Sequence, residues 1–181
     1  MNRLFENEVY RKLLENRIVF INGEINNESS SEIVAKLLYL DSQSNEDITL
    51  FINSPGGSVT SGLMIYDTIK HLKSDVVTIG IGLSASMASI LLMSGTKGKR
   101  KILPHGRVML HELSSTADGK MSDILVAADE MKKQQDVLSN IIIENSLISK
   151  EQAQQELKKD FWLDSKEALK YGIIDKIITN S

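Results

Sequence analysis

A chain of 181 residues with 41% hydrophobic content can bury one sizeable core, so a single domain over 1–181 is expected. The formal charge of −3, with Lys and Arg scattered among the acids, leaves no footprint for nucleic acid or an anionic membrane, and points to peptides, small molecules or other protein chains as partners. The absence of Cys excludes disulfides, thiol catalysis and thiolate zinc sites, and the three histidines, His71, His105 and His111, lack the carboxylate pairs a metal site needs.

From the N-terminus onward, no apolar run reaches signal-peptide length or the ~20 residues that span a bilayer, so the cytoplasm is the expected location. "FENEVYRKLLENR" has helical spacing, "IVFING" reads as a strand, and "SSSEIVAKLLYLDSQ" reads as a helix with serines available as N-caps. The strand "ITLFIN", the turn "SPGGSV", the helix "TSGLMIYDTIKHLK" and the strand "VVTIGIG" follow. They lead into "GIGLSASMASILLMSG", the end of a strand running into a helix. "RKIL" and "RVMLHEL" are predicted strands around the turn "PHGR". A long helix runs from about Met121 to Glu144, "SKEQAQQELKK" forms a shorter one, and "DSKEALKYGIIDKII" holds a final helix and strand. Ser149 with Gln152, and Asp164 with Glu167, have capping-box spacing. Buried strands interleaved with helices make the fold class α/β.

Four serines crowd the strand-to-helix stretch. A nucleophilic serine needs an exposed hydroxyl, a base beside it and backbone N–H groups to hold an oxyanion, which a strand-to-helix turn supplies. Ser84, just after Gly82, reads as an N-cap occupied by the helix's own amides, while Ser89 and Ser94 lie deeper, where small residues let helices pack. Ser86 remains, either as a nucleophile or as another packed small residue. The paired glycines of "INSPGGSV" leave a similar choice. The amides of Gly56 and Gly57 line an oxyanion pocket, or the pair makes an ordinary tight turn.

"FINSPGGSVTSGLMIYDTIK", "GIGLSASMASILLMSGTKGKR", "LPHGRVMLHE" and "SKEALKYGIIDKI" together resemble the ClpP family, the proteolytic subunits of the ATP-dependent caseinolytic protease, from roughly Tyr10 to Ile178. The resemblance implies a serine endopeptidase acting on peptides and unfolded proteins. It places the nucleophile at Ser86, the general base at His111, the triad acid at Asp160 and the oxyanion donors at the amides of Gly57 and Met87. It also implies a groove that reads substrate backbone at Gly56, Ser58, Val59 and Leu113. Taken alone, His111 is one histidine in an alternating strand with Met109 on its face, and Asp160 is one acid among many, with a surface charge as the alternative. His105 reads as an exposed turn residue, and His71 lies beside Lys70 on a solvated helix face.

The family further implies a ClpP/crotonase-like fold of repeated strand and helix units with a protruding handle at about 112–147. Its subunits form heptameric rings stacked as a tetradecamer, either of this chain alone or mixed with a second ClpP. The sequence agrees in one respect: Ile124, Ala128, Met131, Gln135, Leu138 and Ile142 alternate four and three apart along the long helix, a coiled-coil-like seam with one polar member. The resemblance implies no cofactor and no metal in this subunit, with ATP used by a partner Clp-family ATPase. Phe51 aligns with an aromatic of the pocket where that ATPase docks.

Three departures refine these expectations. The chain begins within the first helix, so the family's N-terminal pore-loop segment is not expected and ATPase engagement is expected to suffer. The family's H-Q-P-L-G-G run reads "HELSST" here, which alters the strand that binds substrate backbone. An acidic-Arg pair that couples ring stacking to triad alignment is replaced by Lys158 and Lys159, which cannot form the same bidentate pairs. A weakly active or regulatory paralogue in a mixed ring is therefore the alternative to a working peptidase, and an acyl-CoA enzyme on the crotonase fold is a more distant third.

Overall fold

The computed structural model describes residues 3–116 and 118–179, so Ala117, inside the predicted handle, and the extreme ends of the predicted domain lie outside the described residues. These residues form seven helices and a seven-stranded mixed sheet. Helix α1 (Arg3–Glu15) leads to β1 (Ile18–Asn22), α2 (Asn27–Gln43) and β2 (Ile48–Ser54). Both strands bury alternate residues, and Val19, Ile21, Ile48, Leu50 and Ile52 are each at most 2% exposed. Their parallel pairing requires a crossover, which α2 provides while laying Ile33, Leu37 and Leu40 into the core.

Asn26, rather than a serine, caps α2. Its side chain accepts from the Glu28 and Ser29 amides at 3.0 Å each, and Ser29 Oγ accepts from the Asn26 amide in return. Ser30 and Ser31 instead donate back to the carbonyls of Asn26 and Asn27 inside the first turn, so the predicted serine cap moves upstream.

After α3 (Val59–His71), β3 (Val76–Ala85) runs for ten residues and holds two partners on one edge. Its first half pairs in parallel with β4 (Arg100–Ile102), and its last residues pair in parallel with β5 (Arg107–Leu110). A register shift against β2, from Ile52 opposite Gly80 to Ser54 opposite Ser84, marks the bend between the two halves. Gly82 takes φ +71 at this bend, and the Asn53 side chain accepts from the Leu83 amide at 3.1 Å. The strand therefore runs on through Ala85 before α4 (Met87–Met93), whose seven residues are all buried. Strand β5 stops at Leu110, which leaves His111 just past the strand in which it was predicted.

Helix α5 (Met121–Asn145) spans 25 residues, about 37 Å. It is followed by α6 (Lys150–Glu156), β6 (Phe161–Leu163), α7 (Ser165–Lys170) and β7 (Lys176–Ile177). Both predicted capping boxes form, Ser149 with Gln152 and Asp164 with Glu167. Strand β6 was not anticipated: it pairs antiparallel with β5 in an otherwise parallel sheet, and three residues are too short for periodicity to reveal.

The seam on α5 passes from the body into solvent. Ile142 is buried, Met131, Gln135 and Leu138 are half-buried, and Ile124 and Ala128 are exposed, as are Met121, Leu125 and Val126. The inner end of α5 is fastened by Arg100, which is 3% exposed; its guanidinium donates to the Asn145 carbonyl and pairs with Asp175 at 2.6 Å. Burial alone would push the Asp175 carboxyl up, but the Arg100 side chain and amide, the Arg100 charge and the Gly98 amide outweigh it and hold the carboxyl below its ordinary value. Among the described residues, no helix is long and apolar enough to cross a membrane.

Candidate active site

Ser86 sits between β3 and α4 with φ +54 and ψ −125, a conformation an L-residue holds only when its surroundings enforce it. Its amide donates to the Met109 carbonyl at 2.8 Å, and its carbonyl accepts from the Ser89 amide at 3.0 Å and the Ser89 hydroxyl at 2.6 Å. On the other side stands Gly56, whose φ of +95 suits glycine. Although Ser86 occupies the N-cap position, its side chain caps no helix amide. Its Oγ lies 2.8 Å from His111 Nε2.

The other serines settle differently. Ser84 is not an N-cap: it lies within β3, 1% exposed, with no hydrogen-bond partner for its Oγ among the described residues. The helix begins later than its position requires, so no helix amide is available to it. Ser89 and Ser94 are buried and bond helix carbonyls, as their predicted packing role requires. His71 and His105 are exposed, and neither is hydrogen-bonded to Ser86.

Asp160 is brought near His111 in register but not into contact. In the antiparallel pairing of β5 with β6, Leu110 faces Phe161, which makes His111 and Asp160 the next positions beyond the ladder. Asp160 is exposed, and among the described residues no hydrogen bond joins it to His111.

The Gly56-Gly57 turn is held by Ile25. The Ile25 amide donates to the Gly56 carbonyl and the Ser58 amide donates to the Ile25 carbonyl, both at 2.8 Å, which leaves the Gly57 amide out of this bridge. The amide of Met87 opens α4 and likewise has no partner in the helix. A cleft of about 280 Å³ is lined by Gly57, Met87, Ser86, His111, Val59 and Leu113. A second hollow of about 480 Å³ shares Gly57, Val59 and Leu113 with it and extends along Ser58 toward Met131 of α5. Gly56 lines neither and packs beneath Ser86 instead. The Ser58 hydroxyl is engaged as the N-cap of α3, accepting from the Ser61 amide at 3.4 Å. A hollow of about 610 Å³ between α5 and α6 is larger, yet it contains neither Ser86 nor His111.

Phe51 stacks on Phe20 of the neighbouring strand, with ring centroids 5.3 Å apart, and Lys158 and Lys159 are exposed. Two residues at the site escaped sequence reasoning. Asn53 fills the bend in β3, and Gln135, seen only as the polar member of a seam, accepts a hydrogen bond from the Leu113 amide at 2.6 Å. Neither contact has a local sequence signal, because each joins segments far apart in the chain.

A serine hydroxyl facing an imidazole on a strained strand-to-helix turn, beside two amides that have no backbone partner among the described residues, is an arrangement suited to acyl transfer. The family model described as Clp protease matches residues 3–181, nearly the whole length of the sequence. With its α/β architecture and its long projecting helix, the chain belongs to the Clp protease family.

Proposed function

We propose that the protein is a serine endopeptidase that cleaves peptides and unfolded proteins inside a ring assembly. The observation that carries this reading is the 2.8 Å contact between Ser86 Oγ and His111 Nε2 on the strained turn. His111 Nε2 takes the Ser86 proton as Oγ attacks the peptide carbonyl, and the oxyanion is held by the amides of Gly57 and Met87. Collapse expels the amine, which takes that proton from His111, and a water activated by the same imidazole then hydrolyses the acyl-enzyme. Asp160 orients Nδ1–H and stabilises the imidazolium once the end of β6 draws it to His111. Substrate backbone runs past Val59 and Leu113, with Ser58 and Gly56 shaping the turn beneath it. The chemistry calls for no cofactor in this subunit.

Ring formation is supported by the exposed apolar residues Met121, Leu125 and Val126 on the free half of α5, which a neighbouring subunit would cover. Stacked heptamers are the arrangement the family suggests, with ATP hydrolysed by a separate Clp-family unfoldase where one docks.

One observation favours a second reading, a weakly active or regulatory subunit of a mixed ring: Asp160 makes no hydrogen bond to His111. Nothing comparable favours acyl-CoA chemistry, since enolate formation on a thioester needs no serine paired with a base. Intact-mass measurement after exposure to a fluorophosphonate, with S86A and D160N alongside, separates the first two. One adduct on the wild type, none on S86A and at least about tenfold slower labelling of D160N are expected for a working triad. A wild type that takes no label alone, but does so in the presence of a second ClpP subunit, favours the mixed ring.

A further inference from the structure

The wall of the cleft that carries His111 continues through Glu112 and Leu113, and the two amides beyond the histidine are held by different elements. Glu112 N–H donates to the Leu157 carbonyl at 2.7 Å, next to the C-terminal end of α6. Leu113 N–H donates to the Gln135 side-chain oxygen at 2.6 Å, reaching across to α5. The Gln135 amide nitrogen donates in turn to Ser139 Oγ at 3.1 Å, one turn along the same helix, which fixes the carboxamide with its oxygen toward Leu113. Because β5 has already ended at Leu110, a side chain supplies here what a ladder partner supplies within a strand.

We propose that Gln135 is a positioning residue for the base. By clasping the Leu113 amide it sets the path of the chain two residues past His111 and keeps Nε2 within reach of Ser86. This rests on Ser86 and His111 being nucleophile and base.

The placement of Gln135 argues for this role. It is half-buried and lines the same cleft as Ser86 and His111, between the apolar seam positions Met131 and Leu138. A carboxamide among apolar neighbours is costly unless both its ends are bonded, and both are. A misplacement of about 1 Å in a reacting group costs about 100-fold in rate, so a bond two residues from the base bears directly on reactivity.

The test is the second-order rate of Ser86 labelling by a fluorophosphonate, followed by intact mass across pH, for the wild type, Q135L, Q135E and S139A. The reagent is small and does not depend on the substrate groove. Q135L is expected to label about 10- to 100-fold more slowly while keeping the wild-type circular dichroism and assembly size. Q135E retains an oxygen toward Leu113 and is expected to label within about threefold of the wild type. S139A, which frees the other end of the carboxamide, is expected to label more slowly by about two- to fivefold. Wild-type labelling of Q135L, or Q135E as slow as Q135L, overturns the proposal. If Q135L does not fold, S139A decides: slowed labelling supports the clasp and an unchanged rate overturns it. A wild type that takes no label either alone or with a second ClpP subunit present overturns the serine hydrolase reading itself, whereas a labelled wild type with an indifferent Q135L overturns only the role of Gln135.

Discussion

Gly56 approaches Ser86 so closely that a Cβ added to the glycine would lie 2.7 Å from the Ser86 Cβ and 2.7 Å from the Ala85 carbonyl oxygen. Neither neighbour is the free end of a flexible side chain, so the turn that bears Ser86 has to shift to admit a methyl group. G56A is expected to lose about 1–3 kcal/mol of stability and about 100-fold in the rate of Ser86 acylation. G57A, whose Cβ would meet the Ile25 carbonyl oxygen at 2.1 Å, should show the same pair of losses by breaking the bridge that aims the neighbouring amide. Thermal unfolding and fluorophosphonate labelling of both variants check this.

Ser84 and Ser86 are two residues apart and should answer to mutation in opposite ways. The Ser84 hydroxyl is buried without a partner, an arrangement that costs the folded state about 1–3 kcal/mol. S84A is expected to match or exceed wild-type stability, by up to about 1 kcal/mol, with labelling unchanged. Urea denaturation measures the first effect and intact mass the second; an S84A variant that fails to label would assign a role to the wrong serine.

Replacing His111 by Gln keeps a polar side chain at the cleft but removes the proposed base. Labelling is expected to fall by about 1,000-fold or more, with little change in unfolding temperature, since His111 is only half-buried. The same substitution at the exposed His105 should leave both quantities untouched.

The Arg100–Asp175 pair predicts a pH dependence of stability. Because the folded state holds the Asp175 carboxyl below its ordinary value, the pair's stabilisation is fully present above the ordinary carboxylate range and is lost as pH falls through the lowered folded value. D175N leaves the buried Arg100 guanidinium without its counter-charge and is expected to cost about 3 kcal/mol at neutral pH. That gap to the wild type should narrow below about pH 4. Denaturant titrations of both proteins between neutral and acid pH measure it.

Much of the fold was readable from local pattern. The alternation in β1 and β2, the capping boxes at Ser149 and Asp164, and the length of α5 all follow from spacing within a few turns or residues. Elimination among four serines left Ser86 as either a nucleophile or a packed small residue, and only the family resemblance chose between them, while the cap predicted at Ser84 proved to be a strand residue. The bend at Gly82 hid that extension, because two extra residues against β2 interrupt the alternation that marks a strand. Asp160 could be named only through the family resemblance: its place beside His111 depends on β6, whose three residues carry no periodic signal. The Gln135 clasp lay further out of reach, since only the folded path of the chain brings the Leu113 amide to the helix.

The antiparallel pairing of Leu110 with Phe161 carries a consequence for the order in which the chain matures. It closes a loop containing all of α5 and α6, at an entropic cost of about 3–4 kcal/mol, and such long-range closures come late in folding. Ser86 lies ahead of that loop, His111 at its first position and Asp160 at its last, so during synthesis a nascent chain carries the proposed nucleophile and base well before the proposed acid. A newly made chain thus passes through an early stage in which the proposed triad is incomplete by topology alone.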